Sequence, residues 1–278
     1  MRHFEFTRNS SDGIPVFFQG WEPEVIPKAV ICLVPGTPDH GGRYSYLASY
    51  LTSEGYALFV MDIRGYGRSG GKRGHIISYV ALMDDISLLL GEAKARFTKI
   101  PIFLYGHSSG GNFVANYVLR IKPKIAGVIL TSAWFKLAYN PPTIKVLIGS
   151  LLEKIYPGLS MHTGLNINYV STDPKEDQRY KNDPLQHDLI TPCTYFNILR
   201  AGEWALQHAG EFSYPLLITH GSEDHITSPA ASRAFAEKVP ADCTLKIWEG
   251  LYHETHNEPK RNQEIFAFLV NWLNQHLG

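Results

Sequence analysis

A chain of 278 residues is long enough for one core with an insertion, and its 44% hydrophobic and 19% charged residues exclude a disordered polymer. Lys+Arg and Asp+Glu each number 26, so no net field draws the chain to nucleic acid or anionic lipid, leaving Lys72-Arg73 as at most a local basic patch. No apolar run approaches the roughly 18 residues of a membrane span, and Met1-Arg2-His3-Phe4-Glu5-Phe6 lacks the apolar stretch of a signal peptide. In chain order, short apolar runs predict strands at 16–19, 29–34, 57–62, 102–105, 125–131, 216–220 and 244–248. Helical patterns fall between them at 44–54, 79–97 and 112–121. Strands alternating with helices imply an α/β fold, a mostly parallel central sheet covered on both faces.

One stretch breaks that rhythm. From 134 to 211 no clear strand is expected, which predicts a core of 1–133 and 212–278 with 134–211 inserted as a helical cap. Ile144, Leu147, Ile148, Leu151, Leu152 and Ile155 share one helical face there. Two readings of that face are open: a lid turned to an acyl pocket or a membrane surface, and a helix packed on the core. Asp173-Pro174 and Asp183-Pro184 act as breakers in the polar part that follows. Cys32, Cys193 and Cys243 are far apart and odd in number, so they read as small buried hydrophobes rather than a disulfide framework. A cytoplasmic setting follows, with peripheral membrane contact through the cap as an option.

The chemistry concentrates at Gly106-His107-Ser108-Ser109-Gly110, a Gly-x-Ser-x-Gly nucleophile elbow between an apolar strand and an apolar helix. A serine on so sharp a turn sits in a strained conformation, and glycines two residues to either side relieve the crowding. Ser109 is a poorer nucleophile because its own register lacks those glycines. A serine hydroxyl needs a base, and in this motif class the order is Ser, then Asp or Glu, then His. Asp224, in Gly221-Ser222-Glu223-Asp224, follows a strand and is the expected carboxylate, with Glu223 as fallback. His253 follows the last strand and is preferred to His256, which lies against Asn257-Glu258-Pro259, a helix-start pattern.

With these residues in place, the sequence resembles the monoacylglycerol lipase and lysophospholipase branch of the α/β-hydrolases, the serine aminopeptidase S33-like group. The likeness runs through Pro35-Gly36-Thr37-Pro38-Asp39-His40-Gly41-Gly42-Arg43-Tyr44, Asp62-Ile63-Arg64-Gly65-Tyr66-Gly67-Arg68-Ser69, the elbow, and the segments holding Asp224 and His253. In the cap it is chiefly Asp183-Pro184-Leu185. The resemblance implies a Ser108, Asp224, His253 triad acting on a small-molecule ester or lipid. It also implies an oxyanion hole made by the N–H groups of Thr37 and Ser109. Thr37 stands there because the family's His-Gly is here Pro35-Gly36.

Other patterns are weaker. Gly65-Tyr66-Gly67-Arg68-Ser69-Gly70 fits a dinucleotide fingerprint but does not open a helix directly. His253-Glu254-Thr255-His256 is one residue short of a zinc motif. No cofactor, metal or nucleic-acid partner is therefore expected. Rival functions are an aminopeptidase, for which Glu203 or Asp188 would hold the substrate amine, and a non-catalytic receptor on the same scaffold.

Overall fold

Segments such as Val-Ile-Cys-Leu-Val (30–34) and Ala-Leu-Phe-Val-Met (57–61) carry no polar side chain and are buried throughout, as a strand covered on both faces requires. The computed structural model describes residues 1–277. In chain order its strands are β1 (Arg2–Asn9), β2 (Pro15–Glu22), β3 (Val30–Val34), β4 (Ala57–Met61), β5 (Ile102–His107), β6 (Gly127–Thr131), β7 (Met161–His162), β8 (Leu189–Ile190), β9 (Leu216–Gly221) and β10 (Cys243–Trp248). The helices are α1 (Ser45–Ser53), α2 (Tyr79–Arg96), α3 (Ser109–Ile121), α4 (Thr143–Ile155), α5 (Pro174–Asn182), α6 (Pro192–His208), α7 (Pro229–Ala236) and α8 (Asn262–Gln275).

Eight strands form one sheet in the order β1-β2-β4-β3-β5-β6-β9-β10. It is parallel from β4 to β10, with β1 and β2 antiparallel at one edge. Alternate residues of each strand feed separate cores. Cys32, Phe59, Leu104, Leu130 and Ile218 pack toward α2, α3, α6 and α7. Ile31, Leu58, Phe103, Ile129 and Leu217 pack toward α1 and α8. The fold is that of the α/β-hydrolases. Because the central strands are parallel, the loops leaving β3, β5, β9 and β10 share one rim.

In the insertion between β6 and β9 one expectation is corrected and one open choice is narrowed. Strands do occur there: Met161–His162 pairs with Leu189–Ile190 in a separate two-stranded piece. The apolar face of α4 is packed neither on the core nor over the cavity. Ile144, Leu147, Ile148, Leu151 and Ile155 are all exposed, and only Leu152 is half-buried. The reason lies on the helix's other side, where Gly149 meets the Phe196 ring and Glu153 pairs with Arg200 of α6. α6 in turn places Ile198, Ala205 and Leu206 in the main core, so it seats the insertion on the sheet. Of the cysteines, Cys32 is buried, while Cys193 and Cys243 are unpaired and half-buried. No described helix is long and apolar enough to cross a membrane.

Candidate active site

The end of β5 and the start of α3 leave Ser108 at φ 54°, ψ −122°, a region that L-residues rarely adopt. The turn is possible only because its flanks lack side chains. A Cβ on Gly110 would collide with the Val34 carbonyl oxygen, and one on Gly106 with the Gly110 carbonyl. The β3 loop presses equally close, since a Cβ on Gly36 would lie 2.8 Å from Ser108 Cβ. Ser108 therefore stands at the N-terminal end of α3, where unpaired N–H groups and the helix dipole favour negative charge.

Ser108, His253 and Asp224 form an unbroken line. Ser108 Oγ is 2.9 Å from His253 Nε2, and His253 Nδ1 is 2.7 Å from Asp224 Oδ2. Burial alone disfavours the imidazolium of His253, but Asp224 beside it outweighs burial and holds its pKa above the ordinary histidine value. Burial likewise works against the Asp224 anion, yet His253 and His220 keep that carboxyl far below the carboxylate range. Asp224 Oδ1 accepts the N–H groups of Ile226 and Thr227. Oδ2 also lies 2.9 Å from His220 Nε2 and 2.8 Å from Thr227 Oγ1. Glu223 is exposed and takes no part. The loop bearing His253 is fixed by Ser132, whose Oγ donates to the His253 carbonyl at 2.7 Å.

His256 does not reach Asp224. It occupies a short 3-10 turn (Thr255–Asn257), well before α8, and stacks on Tyr44 with both ring nitrogens unpartnered. Burial, Arg43 and His253 push its pKa down to about 3, so it stays neutral. His107, beside the nucleophile position, is also held neutral, by burial and then by His256 and His253.

The oxyanion loop departs from expectation. The Thr37 N–H donates to Ser109 Oγ at 2.7 Å, and Ser109 Oγ donates onward to Thr37 Oγ1 at 3.1 Å. The cause is local: the residue after Ser108 carries a hydroxyl within reach of the loop. Ser109 N–H is among the first N–H groups of α3, which have no intrahelical partner.

The line opens into a cavity of about 110 Å³ beneath the insertion. Gly36, Thr37, Tyr66 and Ser108 form its floor, and Leu137, Leu165, Val170, Leu189, Ile190 and Tyr195 come from the insertion. A second cavity of about 450 Å³ adjoins it through Tyr139, Thr163, Leu165, Ile190, Tyr195 and Ile226. Asp39 and Glu254 also line the first cavity. Arg43 sits between them, 2.9 Å from Asp39 and 2.5 Å from Glu254. Burial lifts Asp39 to about 6 despite Arg43, whereas Arg43 overcomes burial at Glu254 and keeps it ionised. Two of the sequence's candidates lie elsewhere: Asp188 is exposed and pairs with His162, and Glu203 is exposed on α6.

The loop after β4 wraps Asp62, which accepts the N–H groups of Gly41 and Arg68, and α2 begins only at Tyr79. His253-Glu254-Thr255-His256 holds no metal-like cluster among the described residues. His220, Thr227 and the Asp39, Arg43, Glu254 trio carry no recognisable spacing, because each converges from a different segment.

A serine at a strand–helix elbow, hydrogen-bonded to a histidine that is itself hydrogen-bonded to a carboxylate on the same rim, defines an α/β-hydrolase. Comparison with known proteins narrows this. The profile of the family described as serine aminopeptidase, S33, matches residues 26–260. The chain belongs to this family and is a carboxylester hydrolase. It is 30% identical to a monoacylglycerol lipase of Mycolicibacterium smegmatis over 95% of each chain. It is also 34% identical, over 96% of its own length, to an uncharacterized abhydrolase domain-containing protein of Dictyostelium discoideum, of which it spans only 28%. A crystal structure of Paleococcus ferrophilus monoacylglycerol lipase superposes with a TM-score of 0.84 at 31% identity, covering 99% of this chain and all of that one.

Proposed function

We propose that the chain hydrolyses monoacylglycerols through an acyl-enzyme on Ser108. The observation that carries this is the Ser108, His253, Asp224 line opening into an apolar cavity roofed by the insertion. His253 takes the Ser108 proton as the oxygen attacks the ester carbonyl. The oxyanion is held by the Ser109 N–H and by Thr37. His253, charged and steadied by Asp224, then protonates the leaving glycerol. Water repeats the sequence on the acyl-enzyme. Every step uses groups of this chain and water alone.

The acyl chain is assigned to the apolar cavity and its larger neighbour. Residues 134–211 act as a cap, and the exposed row from Ile144 to Ile155 rests on the lipid surface that supplies substrate. A lysophospholipid would fit the same chemistry. For the aminopeptidase reading, neither Glu203 nor Asp188 lines the cavity, and the acidic groups that do, Asp39 and Glu254, are paired with Arg43. The test is turnover of p-nitrophenyl esters of rising chain length, monoacylglycerols, lysophospholipids and aminoacyl amides by wild type and Ser108→Ala. Monoacylglycerol turnover lost by at least about 10⁵-fold in Ser108→Ala is expected. Undiminished turnover in that variant, or a wild type that cleaves only amides, would overturn the reading.

A further inference from the structure

The loop after β3 offers two donors on one residue, and the backbone one is held by a neighbour inside the fold. Thr37 N–H is engaged with Ser109 Oγ, and Ser109 is fully buried behind the loop. Ser109 Oγ, having accepted that proton, directs its own to Thr37 Oγ1. The chain of donors thus runs from the Thr37 backbone through Ser109 to the Thr37 hydroxyl. There it faces the Tyr66 hydroxyl, a neutral acceptor in the same cavity wall that a developing oxyanion outcompetes. Thr37 lines the cavity with Ser108, and Gly36 lets the loop lie against the Ser108 side chain. Burial holds the Tyr66 phenol protonated, and its contact with Thr37 opposes burial only in part.

We propose that the Thr37 side-chain hydroxyl, not its backbone N–H, is the second oxyanion donor beside the Ser109 N–H. Ser109 Oγ serves as a positioning residue that fills one lone pair of Thr37 Oγ1 and turns its proton toward the cavity. The hydroxyl only donates a hydrogen bond, so no proton leaves Thr37 and the acyl-transfer steps balance as before. The inference rests on Ser108 being the nucleophile.

The two donors separate by substitution. Thr37→Val keeps the backbone N–H and the side chain's shape but removes the hydroxyl, whereas Thr37→Ser keeps the hydroxyl. With p-nitrophenyl butyrate, Thr37→Val is expected to lose about 10²-fold or more in kcat with KM little changed. It should weaken inhibition by a trifluoromethyl ketone, which forms the tetrahedral adduct, by a similar factor. Thr37→Ser, which restores the hydroxyl, should recover most of the kcat that Thr37→Val loses. A Thr37→Val kcat within threefold of wild type overturns the proposal. Ser109→Ala provides an independent test should Thr37→Val fail to fold. It frees the Thr37 N–H, so a kcat at or above wild type overturns the hydroxyl, while a severalfold fall supports it. If Ser108→Ala is inactive and Thr37→Val fully active, only this inference fails; an active Ser108→Ala brings down the nucleophile itself.

Discussion

Helices α3 and α4 are each 13 residues long and live in opposite surroundings. Every residue of α3 from 109 to 119 is buried, whereas α4 has no buried residue at all. α3 is walled by the sheet and by α6, and its N-terminal end holds the proposed nucleophile. α4 packs on α6 and turns five large aliphatic side chains outward. The contrast separates two tasks. Where backbone and charge must be placed to a fraction of an ångström, burial from all sides does the placing. Where an apolar face finds no partner within the chain, its partner is outside, and the proposed one is a lipid surface.

The largest effect expected from breaking this contrast lies on the α3 side. Asp224→Asn preserves shape but removes the charge that orients His253, and kcat should fall by roughly 10⁴-fold. Binding to vesicles should be untouched, because Asp224 is buried and is no part of the exposed row. A fall of less than tenfold on p-nitrophenyl butyrate would show that the carboxylate does not carry the proposed role. On the α4 side the signature inverts. Leu147→Asp combined with Leu151→Asp should leave short soluble esters turned over at wild-type rate and lower the rate on monoacylglycerol in vesicles by about tenfold or more. Sedimentation with the same vesicles should fall in parallel. Equal losses on both substrates would mean that α4 supports the fold rather than a surface.

The same contrast explains what is legible in the sequence. The elbow is readable because its demands are local: glycine at 106 and 110, an apolar strand before, a helix after. Asp224 and His253 are readable because each directly follows a strand of a parallel sheet, which fixes their rim without knowledge of contacts. The amphipathic pattern of α4 is also plain, but periodicity gives a face and not its direction. Direction comes from Gly149 and Glu153 meeting α6. β1 escapes the pattern because Phe4 and Phe6 alternate with charged residues on an edge strand. Its two rings pack on Phe18 and Phe59 only once the sheet exists. His220 and Thr227 are hidden for a similar reason: their meeting with Asp224 depends on the path of the loop between them.

The smallest effect separates the charge at the rim from its geometry. In the proposed mechanism His253 acts in its neutral form, and its pKa lies above the ordinary histidine value because Asp224 outweighs burial. The acid limb of kcat/KM should therefore fall above about pH 6.5. Stability runs the other way. A raised folded pKa means the His253–Asp224 attraction contributes fully below the unfolded histidine pKa and is lost as pH rises through the folded one. At the other end, Asp224 is depressed, so its share is present above the unfolded carboxylate pKa and disappears as acid protonates it. The enzyme should thus gain activity over the pH range in which this pair stops stabilising it. In Asp224→Asn the burial of His253 acts without its main opponent, and the residual activity should show an acid limb lower by about one pH unit or more. A limb that stays where the wild type has it would assign the raised pKa to Glu254 and Asp39 instead.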